Sequence, residues 1–353
     1  MSRALQKPEV LVVEDTEENI DILIDILSDD YSVSVAIDGK TALESVTEIN
    51  PDLILLDVMM PGINGYQVCE KLKEDPVTQH IPIIFLTALS SDVDESKGLG
   101  LGAVDYITKP FNPALLKSRV KNHLELKQYQ NVLEDMVSEK TKALVLTQEA
   151  TIQSMAILAE YRDPDTGGHI QRTKNYVRLV AGYLYANEIP DYYVSKEDVQ
   201  AMAQMAPLHD IGKVGIPDNI LLKPGKLTDE EFEIMKMHSC YGGDAIARVQ
   251  SLLGESSFLD IAHDIARSHH EKWDGSGYPD KLSGHNIPLS ARIMALADLY
   301  DALSTKRPYK EPMTHEEASG IIIRSKGSHV DPILCAVFEE HNADFLDIRQ
   351  SYQ

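Results

Sequence analysis

Cysteine is scarce: Cys69, Cys240 and Cys335 are the only three, far apart and odd in number. That excludes a disulfide framework and a cysteine-built zinc site, and it fits a reducing compartment. Basic residues are also short, with 33 Lys and Arg against 56 Asp and Glu and a formal charge of −23. A general coat for DNA or RNA is excluded on that ground, because polymeric nucleic acid is held by Lys and Arg on phosphates. A small anionic ligand remains open, since a pocket can be locally positive or hold cations. No apolar run approaches the roughly 18–20 residues of a membrane span. The opening MSRALQKPEV lacks the apolar centre of a signal peptide. The expectation is a soluble, cytoplasmic protein without membrane insertion.

What is present suffices for two hydrophobic cores. The 353 residues are 43% apolar and 25% charged, which is ordinary globular composition. At roughly 100–200 residues per domain, they imply two domains.

Residues 9–125 alternate short apolar runs with amphipathic stretches. Strands are expected at 10–13, 53–56 and 83–86, with weaker ones at 32–36 and 104–107. Helical patterns lie between them at 18–28, 40–49, 65–74, 94–101 and 113–126. This alternation predicts an α/β doubly wound parallel five-stranded sheet, with ligands outside the carboxyl ends of its strands. Residues 113–150 have no Gly, and no Pro after Pro113, so one long helix is expected there. Tyr129, Met136 and Ala143 recur every seven residues beside Leu126 and Leu133, while Lys140 and Thr147 interrupt the second stripe. A dimerising coiled coil and a helix packed on its own domain both satisfy that pattern. Beyond residue 150 helical patterns dominate, at 150–161, 168–188, 196–208, 228–237, 242–253, 260–269, 290–304, 315–325 and 332–342. The expected organisation is a first domain at 8–125, a helical linker at 126–150 and an all-α domain at 151–345.

Four strand ends of the first domain carry chemistry. Glu14 and Asp15 follow the first strand, Asp57 ends the third, Thr87 the fourth, and Lys109 follows the fifth. Three carboxylates at one sheet edge repel unless a divalent cation neutralises them, and all-oxygen ligands suit Mg²⁺ or Mn²⁺. With a hydroxyl and an ammonium beside it, such a carboxylate can accept a phosphoryl group. One Asp after a strand is usually a cap or turn former; four such ends in order are not explained that way. Residues 9–125 resemble a two-component receiver domain. The resemblance implies that Asp57 is the phosphoacceptor, with Glu14, Asp15 and Asp57 around Mg²⁺. It also implies that Thr87 and Lys109 contact the phosphoryl group, that Tyr106 is the aromatic switch, and that a sensor histidine kinase is the partner. Glu14 stands where Asp is more usual, a change that keeps metal binding.

Ten of the twelve histidines lie beyond residue 150. His209-Asp210 is followed by Lys213; then come His238, His269-His270-Glu271 and Gly277-Tyr278-Pro279. Asp165 and His169 lie upstream, and Asp298 sits in an apolar helical stretch where an unpaired charge would be costly. Satisfied structural histidines could explain any one cluster but explain all of them poorly. Mixed imidazole and carboxylate donors suit Fe, Mn, Zn or Ni. Two such ions about 3.5–4 Å apart can clamp a phosphate oxygen and activate water, the hydrolytic logic for phosphodiesters. Lys213, one helical turn beyond His209, is placed to contact that phosphate.

These motifs resemble the HD-GYP phosphodiesterases, a branch of the HD phosphohydrolase superfamily, over residues 150–345. The resemblance implies metal ligands at His169, His209, Asp210, His238, His269, His270 and Asp298, with Fe or Mn ahead of Zn or Ni. It implies catalytic roles for His209, Asp210 and Lys213, and substrate contacts from Lys213, Tyr278, Arg307 and Lys310. The implied reaction is hydrolysis of cyclic di-GMP to pGpG, and in some members on to GMP. Asp165 stands where members with a third metal commonly carry Glu. Being one methylene shorter, it weakens the case for a third ion and for the second step.

The whole chain therefore reads as a response regulator whose phosphorylation controls a phosphodiesterase, with a homodimer through the linker helix. Two alternatives stand beside it. One is a catalytically silent adaptor that binds a cyclic nucleotide or a partner protein. The other is a phosphohydrolase for another cyclic dinucleotide or a nucleoside triphosphate. His263, His285, Trp273 and His329 are expected to be packing, capping or surface residues.

Overall fold

The three central strands of the first unit are short apolar runs because both of their faces are covered. In the computed structural model, which describes residues 7–88, 98–160, 168–254, 256–305 and 312–352, five strands form one sheet. They are β1 (Glu9–Val13), β2 (Ser32–Ala36), β3 (Leu53–Asp57), β4 (Ile83–Thr87) and β5 (Asp105–Thr108). All are parallel, in the order β2-β1-β3-β4-β5. Leu11, Val13, Ile54, Leu56, Ile83 and Phe85 fill the core on one face. Their alternates Val10, Val12, Leu53, Leu55, Ile84 and Leu86 fill the core on the other. This is why β1, β3 and β4 lack a polar alternation, whereas the edge strand β2, Ser-Val-Ser-Val-Ala, keeps one. The chain order reverses between β1 and β3, so a crevice opens at their carboxyl ends. Glycine matters there: a Cβ on Gly65 would lie 2.1 Å from the Asp57 carbonyl oxygen, so only Gly lets the Gly65–Glu74 helix begin against the end of β3.

The chain divides into two compact units, Met1–Lys142 and Ala143–Gln353, within the single helix Pro113–Glu160. The stripe residues Leu126, Tyr129, Leu133 and Met136 on that helix are exposed, Tyr129 by 74%.

The second unit is helical, with a core built on Tyr176, Tyr300, Phe338 and Phe345. Two segments expected at 228–237 and 242–253 are one helix, Asp229–Leu253. Gly242 and Gly243 lie inside it, although Gly in a helix costs roughly 1 kcal/mol against Ala. Here they allow a close crossing with the Ser257–Ser268 helix. A Cβ on Gly243 would lie 2.9 Å from the Arg267 Cβ, and one on Gly242 3.3 Å from the Ala266 Cβ. The Lys196–Met205 helix stops sooner than expected and tightens into a 3-10 turn, Ala206–Leu208, around Pro207. A final helix, Asn342–Ser351, was not expected; its one buried anchor is Phe345, stacked 4.8 Å from the Tyr176 ring. Among the described residues, no helix is long and apolar enough to cross a membrane.

Candidate functional site

At the carboxyl edge of the sheet, Glu14 and Asp57 are buried and Asp15 is exposed; their oxygens come within 4.8 Å of one another. Lys109 Nζ lies 2.9 and 2.8 Å from the two Glu14 carboxylate oxygens and 3.1 Å from Asp57 Oδ1. Asn19 Nδ2 donates to Glu14 Oε1 at 2.7 Å. Burial and the neighbouring Glu14 push the Asp57 pKa up, against the pull of Lys109. Thr87, 6% exposed, ends β4, and its carbonyl accepts the Lys109 backbone N–H at 2.7 Å. Tyr106 lies in β5 under the Arg119 guanidinium, 5.6 Å from the ring centre. The four strand ends are thus gathered at one edge.

In the second unit, seven expected ligands fall into two groups. One holds His169, His209 and Asp298; the other holds Asp210, His238, His269 and His270. Different elements supply them. His169 opens the His169–Asn187 helix, and His209-Asp210 lie between two 3-10 turns. His238 is inside Asp229–Leu253, His269-His270 follow Ser257–Ser268, and Asp298 is inside Leu289–Ser304. Asp210 joins the groups. Its Oδ2 is 3.2 Å from His209 Nε2, and its Oδ1 is 3.4 Å from His238 Nε2 and 3.9 Å from His269 Nε2. A close approach makes this possible: a Cβ on Gly212 would lie 1.9 Å from the His238 carbonyl oxygen.

The hydrogen bonds behind the rings test whether a cation fits. Nδ1 of His209, His238 and His269 faces the carbonyl oxygens of Ala206, Met235 and Ile265 at 2.9, 2.8 and 2.9 Å. Nδ1 of His169 faces Asp301 Oδ2 at 2.7 Å. Those oxygens accept, so each Nδ1 donates and each ring, when neutral, presents a bare Nε2. The Nε2 atoms of His169 and His209 are 3.2 Å apart, and that of His269 is buried without a hydrogen-bond partner. Lone pairs converging in this way call for a positive charge between them. Imidazole with carboxylate is a transition-metal donor set, so the residues fit the ions expected from the sequence.

Electrostatics of the metal-free chain set His209 apart from the rings around the other point. Burial pushes the His209 pKa down, but Asp210 outweighs burial and lifts it to about 9. Burial takes His269 down to about 3, and lowers His238 and His270 as well. Burial alone would raise the Asp210 pKa; Lys213 and His209 hold it well below the usual carboxylate range.

Lys213 lies in the 3-10 turn Ile211–Gly215 rather than on an α-helix, with Nζ 2.8 Å from Asp210 Oδ2. The Tyr278 ring packs 4.8 Å from His270. Burial and Asp210 raise the Tyr278 pKa, so its phenol is neutral. Gly277 is required beside it, since a Cβ would lie 2.4 Å from the Lys272 backbone N. Asp165, Arg307 and Lys310 lie outside the described residues. Among the described residues, His329, His263 and His285 belong to neither group. The His329 carbonyl accepts the Trp273 N–H at 3.2 Å, His263 faces Asp264, and His285 packs on Trp273 and Tyr192. Sequence reasoning missed Asp301 and Arg172, which lie behind His169. The available signal was spacing: each stands three residues after an expected ligand.

A family model of the HD domain matches residues 132–334, and one of the response regulator receiver domain matches residues 10–121. The chain belongs to the HD-domain family. It is a response regulator and a metal-dependent phosphodiesterase. It is 46% identical over 351 residues to a probable cyclic di-GMP phosphodiesterase of Vibrio cholerae, covering 97% of this chain and 80% of that one. It is 34% identical over 356 residues to a cyclic di-GMP phosphodiesterase of Thermotoga maritima, covering 96% and 92%. A 3'3'-cGAMP-specific phosphodiesterase of Vibrio cholerae is 40% identical over 205 residues, covering 58% of this chain and 37% of that one.

Proposed function

We propose that this phosphodiesterase hydrolyses cyclic di-GMP to pGpG at a binuclear centre in the second unit, under control of phosphorylation at Asp57. The observation that carries the proposal is the convergence of imidazole nitrogens and two carboxylates on two adjoining points, with Asp210 between them. His169, His209 and Asp298 would hold one ion, and His238, His269, His270 and Asp210 the other. Fe or Mn suits this donor set, with Zn or Ni compatible. Such ions supply Lewis acidity at a phosphate and lower the pKa of water.

The chain's own groups do the rest. Lys213, anchored on Asp210, donates to a phosphate oxygen and offsets its growing negative charge. Tyr278 offers a neutral phenol and an aromatic face beside His270. Arg307 and Lys310 are assigned to the remaining substrate phosphates. Asp165 makes a third ion, and cleavage of pGpG to GMP, the weaker part of the assignment.

In the first unit, acting in the cytoplasm, a cognate sensor histidine kinase would phosphorylate Asp57 with Mg²⁺ held by Glu14, Asp15 and Asp57. Thr87, Tyr106 and Lys109 would read the phosphoryl group. The domain assignment is a receiver at 8–125, a linker at 126–150 and a catalytic domain at 151–345. The exposed Leu126, Tyr129, Leu133 and Met136 support a homodimer through the linker helix, which sedimentation of the full chain tests.

The likeness to a 3'3'-cGAMP-specific enzyme supports a second reading, hydrolysis of that dinucleotide. Turnover of both substrates by Mn- or Fe-loaded protein separates them. Preferential conversion of cyclic di-GMP is expected. Intact cyclic di-GMP with the metals retained would reject the proposal and favour a silent adaptor.

A further inference from the structure

Behind the proposed centre lies a buried ion pair with no direct part in it. Asp301 is 1% and Arg172 4% exposed. A buried pair of this kind seldom adds stability over apolar packing, so its geometry deserves an explanation. Arg172 grips Asp301 as a fork, Nε donating to Oδ1 at 2.6 Å and Nη2 to Oδ2 at 3.0 Å. The same Oδ2 receives His169 Nδ1 at 2.7 Å.

Arg172 also reaches the end of the chain. Its Nη1 donates to the Tyr352 carbonyl oxygen at 3.1 Å, while Asn175 Nδ2 donates to the Tyr352 hydroxyl at 3.1 Å. Gly168 (φ +80°) makes room, since a Cβ there would lie 2.7 Å from the Tyr352 carbonyl oxygen and 2.8 Å from Arg172 Nη1. Two helices therefore each carry a matched pair one turn apart: His169 and Arg172 on one, Asp298 and Asp301 on the other. The first of each pair faces the centre, and the second pair locks behind it.

We infer that Asp301 and Arg172 are positioning residues that hold His169 in its Nδ1–H tautomer, leaving Nε2 as a ligand, with Tyr352 as the latch on Arg172. This rests on the metal reading of the His169–His209–Asp298 group. Among the described residues, only that group has a carboxylate behind a ring; His238 and His269 of the other are fixed by backbone carbonyls. An ion-selective effect follows, which a general structural role would not produce.

The test is a two-site Mn²⁺ titration of the full chain. Asp301→Asn keeps the size and one acceptor oxygen but loses the charge shared by Arg172 and His169. One ion should bind about 10–100-fold more weakly, the range usual for outer-shell changes, while the other keeps wild-type affinity. Arg172→Lys, which keeps the charge but loses the fork, should shift the same ion less. It carries the test if Asp301→Asn fails to fold. Unchanged affinity for both ions, or equal weakening of both, overturns the inference. A wild-type chain that binds no Mn²⁺ would instead reject the metal reading beneath it.

Discussion

The two acidic sites of this chain meet their charge differently. In the first unit, Lys109 lies within 3.1 Å of both Glu14 and Asp57, so the buried carboxylates already face a cation of the protein. In the second, Lys213 pairs with Asp210, while four rings aim Nε2 inward with Nδ1 tied behind. An oxygen pocket with its own ammonium suits an exchangeable Mg²⁺ that keeps its waters and a phosphoryl group that comes and goes. Preset imidazoles suit ions that stay. On the proposed assignments, the contrast is between a site suited to turnover of its charge and one suited to retention.

The largest expected effect breaks the retention side alone. His209→Ala and Asp298→Ala should each lose metal and hydrolysis together, by more than the roughly 10–100-fold cost of outer-shell changes. Phosphorylation of Asp57 should be untouched. Metal analysis beside hydrolysis rates checks this, and normal turnover in both variants would refute the assignment. Next comes Gly212→Ala, whose Cβ would meet the His238 carbonyl at 1.9 Å. It should cost roughly 1–3 kcal/mol, typical of overpacking, and displace Asp210. Denaturant unfolding and metal titration would show both changes.

A graded test uses pH. His209 is lifted to about 9 in the folded chain, so a metal ion must displace its proton below that pH. Metal affinity should therefore rise with pH and level off near 9. The same shift makes the His209 contribution to folding of the metal-free chain full below its ordinary pKa and lost as pH climbs through about 9. Flat metal affinity across this range would contradict the raised His209 pKa. The smallest expected effect on the second unit is none: Asp57→Asn should abolish phosphorylation and leave the transition-metal content as in the wild type. Elemental analysis for Fe and Mn after phosphodonor treatment checks it, and a changed transition-metal count would mean that the sites are not separate.

Much of this was legible in the sequence because the chemistry sits at punctuated positions. Glu14, Asp57, Thr87 and Lys109 each close or follow a strand, and a parallel sheet brings strand ends to one edge. The histidines were legible by type and number, but their division into two groups was not. That division depends on how the Asp229–Leu253 helix crosses its neighbours, a close approach that Gly212 and Gly242-Gly243 permit and that no local pattern displays. The Asn342–Ser351 helix escaped notice because one buried Phe345 gives no periodic stripe. Asp301 and Arg172 escaped because an outer carboxylate looks like any helical charge until its ring partner is known.

The most direct test counts transition-metal ions per chain in reconstituted, desalted wild-type protein and in His209→Ala. About two Fe or Mn ions in the wild type, falling in the variant along with cyclic di-GMP hydrolysis, is the expected result. A wild-type chain that holds no such ion, or a His209→Ala chain that keeps both, would contradict a metal centre built on these histidines.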